Sequence, residues 1–258
     1  MAGWGEVIPD IILSSLYFIL LVLLATASDD YFKSPFYIFF ITTGVYSIIT
    51  VVSYHIVAQF PYTERYWTIY FFKPAYTLNA IGAFGAIFGK TNIIIHRYFV
   101  MRQRDFDENK WSRRFIYQIL AMQCVVSVLL TASIWPASYV YLNQAAMDRI
   151  IALSEVETMI QVVIAVVLYI SYIFCNGLFT VLTSRELIRM RTLLAENTDT
   201  SNHIMAHQRN MIIIATVCSL SHLVKMVQQL IVAISTFFHL DDLYAVIWPI
   251  YPIVNGLA

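Results

Sequence analysis

Seven long apolar stretches divide this chain, at about 10–27, 35–57, 69–96, 115–138, 158–182, 210–236 and 244–258. A helix of about 20 apolar residues crosses the roughly 30 Å hydrocarbon core of a bilayer. These stretches are too long and too evenly apolar to be strands of alternating character. Backbone groups in lipid must find partners within their own segment, so helices are the expected solution. The expectation is an all-α membrane protein, a seven-transmembrane helix bundle in which 1–258 forms a single domain. Composition agrees, with 59% of residues hydrophobic and 12% charged, against about a quarter charged in soluble domains. The formal net charge is zero, so no polybasic face advertises nucleic acid.

Both ends of the chain carry expectations of their own. Tyr244 to Ala258 is 15 residues, about 22 Å of helix at 1.5 Å per residue. The last helix is therefore expected to be truncated, in a shortened isoform or an incomplete sequence. Met1-Ala2-Gly3-Trp4-Gly5-Glu6 supplies no basic region ahead of the first stretch. The first helix is expected to act as its own insertion signal and to remain.

Lysines and arginines set the orientation. Lys33 follows the first stretch; Arg97, Arg102, Arg104, Lys110, Arg113 and Arg114 follow the third; Arg185, Arg189, Arg191 and Arg209 follow the fifth. The opposite loops hold only Arg65 and Arg149. By the positive-inside rule the N-terminus is extracellular and the basic loops are cytoplasmic, as in a multi-pass plasma-membrane protein. Arg185 to Arg191 reads as a helical extension past the fifth stretch. A polar turn-forming cluster, Glu196 to Asn202, breaks it.

Soluble-enzyme chemistry has no foothold in this pattern. There is no Gly-rich phosphate loop, zinc-protease helix, CxxC pair or nucleophile elbow, and no cofactor is called for. His203 and His207 share a helix face at i, i+4, but a solvated juxtamembrane turn explains them better than a metal site. Cys124, Cys175 and Cys218 all lie inside apolar stretches, where thiols behave as small apolar groups. No outer-loop cysteine is left for a disulfide.

The third stretch is the densest in information. Gly82, Gly85, Ala86 and Gly89 form a strip of small residues that allows a neighbouring backbone to come close. Lys90 stands seven residues before Arg97, so about 10 Å deeper on nearly the same face. It either snorkels to the cytoplasm or joins a polar network with Asn92 and Arg97. His96-Arg97-Tyr98 closes the stretch. As residues alone, an Arg and a Tyr at this level serve either as interfacial anchors or as a two-state switch.

A second polar group belongs to the sixth stretch. Cys218, His222, Lys225 and Gln229 are spaced 4, 3 and 4, which puts them on one helical face. A lysine at that depth faces a cavity or an anion. Glu155 and Glu157 atop the fifth stretch, with Gln161 a turn below, are candidate neighbours. Lys225 is open between a structural ion pair and a ligand cavity lined by Tyr76, Glu157, Gln161, His222, Lys225 and Gln229.

Leu78-Asn79-Ala80-Ile81-Gly82 through Gly89-Lys90, Ile95-His96-Arg97-Tyr98-Phe99-Val100, Trp111 and Trp135-Pro136 together resemble the nematode serpentine chemoreceptors. The nearest likeness is to the Srv class of the Srg superfamily, and it covers all seven stretches. His96-Arg97-Tyr98 resembles the switch triplet of G-protein-coupled receptors. The resemblance implies a receptor in sensory cilia that binds a small external molecule and signals to a heterotrimeric G protein. It also implies that His96, Arg97, Tyr98 and Lys90 serve coupling and that the chain is not an enzyme. Departures from the wider rhodopsin-like pattern are His96 in place of an acid, no disulfide from the top of the third stretch, and a seventh that ends before an Asn-Pro-x-x-Tyr motif. Alternatives are a polytopic transporter, against which the lack of matched Pro/Gly-broken repeats counts, and a non-signalling truncated isoform.

Overall fold

Helices take up the first five apolar stretches: α1 (Trp4–Thr26), α2 (Pro35–Gln59), α3 (Trp67–Arg102), α4 (Arg113–Leu130) and α5 (Glu155–Leu193). The computed structural model describes residues 4–28, 34–59, 67–102, 112–135, 139–141, 151–153 and 155–193. In the sixth stretch it describes Leu220, Leu223, Val224, Met226 to Gln228, Leu230, Ile231, Ile234 and Phe238. The seventh stretch, the loop residues 103–111 and 194–209, and His222, Lys225 and Gln229 lie outside the described residues. Among those described, Pro35–Val57, Lys73–Val100, Arg113–Ile134 and Met159–Glu186 are long and apolar enough to cross a membrane, and Ile11–Thr26 is a shorter apolar helix.

Two helix boundaries differ from those read off hydropathy. α3 runs on to Arg102, so His96-Arg97-Tyr98 lies inside a helix and not at its end. Hydropathy marks where lipid stops; nothing in Arg97 to Arg102 breaks a helix, and Arg102 in the last turn complements the helix dipole. α4 begins where Ser112 caps it, accepting a hydrogen bond from Phe115 N at 3.3 Å. It ends at Leu130, well short of residue 138. There Thr131 Oγ1 donates to Val128 O at 2.7 Å, and a single 3-10 turn, Ala132–Ile134, follows. The Thr131 hydroxyl thus competes for a backbone carbonyl of the last turn, which disfavours continued helix. The helical extension expected beyond the fifth stretch is present, since α5 continues to Leu193 with Glu186 and Arg189 paired at 3.5 Å.

A small departure from an all-helical chain joins α4 to α5. β1 (Tyr139–Tyr141) pairs antiparallel with β2 (Ile151–Leu153), Val140 opposite Ala152. Aromatic and β-branched residues favour such a ribbon.

The hub is α3, which packs against α2, α5 and α4, while α1 packs against α2. The α2 contact is close because glycine makes it so. A Cβ added at Gly82 would meet Thr50 Oγ1 at 2.5 Å and the α2 backbone at 2.9 Å; at Gly85 it would strike the Tyr46 ring and at Gly89 the Thr43 side chain. On the α5 side Ile87 is buried with Tyr169 and Tyr172, and Met226 of the sixth stretch packs on that cluster. Large apolar side chains such as Met122 and Phe174, each 69% exposed, form the outward face. In a bilayer that face meets lipid, not water.

Candidate functional site

Helical geometry sorts the residues of α3 by neighbour. Successive residues advance about 100°. Gly82, Gly89 and His96 fall toward α2, Gly85 and Asn92, seven residues apart, toward the seam between α2 and α4, and Ile87 and Tyr98 toward α5. The structure bears out each direction. His96 is buried with its ring edge-on to Phe39 of α2, centroids 6.0 Å apart. Asn92 Nδ2 donates to Gln123 Oε1 of α4 at 3.1 Å, and Gln123 Nε2 in turn donates to Gly85 O at 2.8 Å. Tyr98, also buried, packs against Phe179 of α5 at 5.4 Å, and its hydroxyl accepts a hydrogen bond from Arg102 Nη1 at 3.2 Å.

Arg97 is the residue between His96 and Tyr98. It stands about 100° from each, in the sector of α3 that α2, α4 and α5 leave open. Lys90, seven residues back, shares that sector, and both side chains are half-buried. The polar network expected of Lys90, Asn92 and Arg97 is thus divided between two faces. Asn92 belongs to the α4 clamp, whereas the two cations share the fourth face.

Toward the other end of α3, a second group forms around the 3-10 turn. Ile134 is fully buried against Tyr76 and Ala80. Next to it, Ser133 Oγ accepts a hydrogen bond from Gln161 Nε2 of α5 at 2.6 Å, and Leu130 O lies 3.5 Å from the same nitrogen. Lys73 Nζ donates to Trp135 O. A side chain of α5 thus meets the last carbonyl of α4, and a lysine of α3 meets the carbonyl just past the 3-10 turn. Tyr76 and Gln161, both expected in a ligand cavity, flank this one turn. Glu157 belongs to the first turn of α5, its side chain outside the described residues.

A model of the family of serpentine type 7TM GPCR chemoreceptors, Srv, matches residues 8–258. The chain belongs to the Srv family of chemoreceptors. A comparison with curated proteins gave no match. An Srv chain is a seven-transmembrane receptor of the G-protein-coupled type, which accounts for the apolar helices and makes α3 the third of seven. The Srv family is one of receptors, not of enzymes.

Sequence reasoning passed over Gln123 and Gln228. Gln123 is 4% exposed in an otherwise apolar helix. A buried amide in a membrane helix needs partners, and that signal was available. Gln228 is buried too, one residue from the Gln229 that the polar stripe had singled out.

Proposed function

We propose that this chain is a chemosensory receptor with its N-terminus outside, binding a small external molecule and activating a heterotrimeric G protein at the cytoplasmic face. The observation that carries the reading is the Srv family match across 8–258. The loop charge asymmetry supports the orientation, and it sets Arg102 of α3 and Leu193 of α5 on the cytoplasmic side.

In that orientation Arg97 is the switch residue. Its backbone is held between a histidine fixed on α2 and a tyrosine fixed on α5, while its guanidinium occupies the remaining sector with Lys90. Relative movement of α5 would turn Tyr98 against Phe179 and re-aim Arg97, which is how a two-state element transmits a signal. The ligand cavity is assigned to the space from mid-depth outward, with Tyr76, Glu157 and Gln161 on the α3–α5 side and His222, Lys225 and Gln229 on the sixth helix. The Tyr76–Ile134–Gln161 grouping supports this. So do the exposed apolar residues Leu220, Leu223, Val227, Leu230 and Ile234, which mark the opposite, lipid-facing side of that helix.

The test is a panel of small molecules applied to cells that express the chain with a G-protein reporter. A chain-dependent response is expected, and Arg97→Ala should abolish it at equal surface level. A robust response in Arg97→Ala defeats the switch assignment. Compound uptake without any G-protein activation defeats the receptor reading itself.

A further inference from the structure

Gln161 of α5 reaches two acceptors on one short segment. Its Nε2 donates to Ser133 Oγ at 2.6 Å, and Leu130 O lies 3.5 Å from the same nitrogen, at the outer limit of a hydrogen bond. The side chain is 8% exposed, so an amide nitrogen that left both oxygens would go unsatisfied at a high cost. One acceptor is fully engaged and the second stands close by.

The segment that carries both acceptors is fixed to the rest of the bundle. Ile134 is fully buried against Tyr76 and Ala80 of α3. Lys73 of α3 donates to Trp135 O, and Thr131 Oγ1 donates to Val128 O. On the α3 side, by contrast, α5 is met by rings: Tyr169 and Tyr172 around Ile87, and Phe179 on Tyr98. Ring contacts survive small changes of offset and tilt.

Magnitudes decide what a small movement of α5 does here. Leu130 precedes Ser133 by three residues, about 5 Å along the axis, and in the orientation proposed above it is the inner of the two. Helix shifts in switching proteins are about 1–2 Å. An inward shift at the low end of that range exchanges the short bond for the long one. The amide keeps a partner in both positions, so the exchange costs little.

We propose that Gln161 is a two-position catch: on Ser133 Oγ it holds α5 at rest, and on Leu130 O it holds α5 displaced inward. The proposal rests on the receptor reading above and assigns that receptor a built-in regulation. The 18 residues from Gln161 to Phe179 span about 27 Å of helix, so the shift is carried to the ring that packs on Tyr98, next to Arg97. The net worth of one neutral hydrogen bond sets the bias between the positions at about two- to ten-fold.

Ser133→Ala removes the resting position and leaves the other. The readout is the fluorine NMR spectrum of the purified chain in lipid nanodiscs, with a fluorophenylalanine at position 179 reporting its contact with the Tyr98 ring. The line of the displaced state should gain about two- to ten-fold over the resting line in Ser133→Ala. Ser133→Thr, which keeps the hydroxyl, should leave the spectrum as it is. Should the alanine variant fail to assemble, Ser133→Val against Ser133→Thr repeats the comparison with side chains of equal size. A spectrum indifferent to loss of the hydroxyl overturns the catch. In cells, basal G-protein activity per surface molecule should rise by the same factor, whereas a merely structural hydroxyl would lower the surface amount and leave that ratio unchanged. A shifted spectrum with unaltered basal activity, in a chain that signals through Arg97, overturns the regulatory role. Silence of the reporter for every form and every compound defeats the receptor reading instead, and the fluorine spectrum still decides the catch.

Discussion

A glycine inside a helix is worth its lost helix propensity only where a side chain would not fit. Gly82, Gly85 and Gly89 meet that condition and Gly177 does not. At Gly82 the atoms in the way include the Thr50 amide nitrogen and the Tyr46 carbonyl, which cannot swing aside as a side chain does. Gly82→Ala should therefore destabilise the chain by about 1–3 kcal/mol through overpacking. Gly85→Ala, which presses on the Tyr46 ring, should cost less. At Gly177 an added methyl meets nothing within 4 Å, so Gly177→Ala should stabilise by about 0.5–1 kcal/mol. Melting curves of the detergent-solubilised variants give the order, and a Gly82→Ala variant as stable as Gly177→Ala would contradict the close α2–α3 approach. The glycine strip was legible from spacing alone. Which neighbour it admits was not, since spacing carries no information about the residues across the gap.

At the scale of elements, α3 and α4 are joined by one side chain. Gln123 donates to Gly85 O and accepts from Asn92, so a residue on α4 holds two levels of α3. Replacing it with leucine strands the Asn92 amide and removes both bonds, a loss of roughly 1–3 kcal/mol. Asn92→Ala should cost less, because Gln123 retains its bond to Gly85. The double variant should fall short of the sum of the two singles, since both remove the same bond. Chemical or thermal unfolding of all four proteins measures the coupling, and strict additivity would show that the bond carries nothing. The five helices described in full were legible from the length of apolar runs, and the extension of α5 from the charged run that follows its own. Their ends were less so. α3 continues past the point where lipid stops, and α4 stops early where the Thr131 hydroxyl takes a carbonyl of its last turn. Gln123 and its partners lie 31 and 38 residues apart in sequence, a separation that no local pattern encodes.

For the molecule as a whole, the two long faces of α3 are built differently. Toward α2 the contact is close across glycines, with backbone against backbone at Gly82 and the Tyr46 and Thr43 side chains seated over Gly85 and Gly89, a fit that resists sliding. Toward α5 it is made by rings, Tyr98 on Phe179 at the cytoplasmic end of the proposed orientation and Tyr169 and Tyr172 around Ile87 at mid-depth. Aromatic pairs keep much of their attraction, about 0.5–1.5 kcal/mol, over a range of offsets and tilts. An interface of this kind permits small displacements where the glycine interface forbids them. α2, α3 and α4 then act as a frame, and α5 is the helix able to shift against it. The two interfaces should fail in different ways. Gly82→Ala should lower the amount of chain at the cell surface while leaving basal G-protein activity per surface molecule unchanged. Phe179→Ala and Tyr98→Ala should leave the surface amount within twofold of the unmodified chain and alter basal activity per molecule by more than that factor, because they remove the ring contact that ties α3 to α5 next to Arg97 without opening the frame. Surface labelling and a G-protein reporter read in the same cells separate the two quantities. Were the aromatic variants retained inside the cell and the glycine variant constitutively altered at the surface, the assignment of frame and moving part would have to be exchanged.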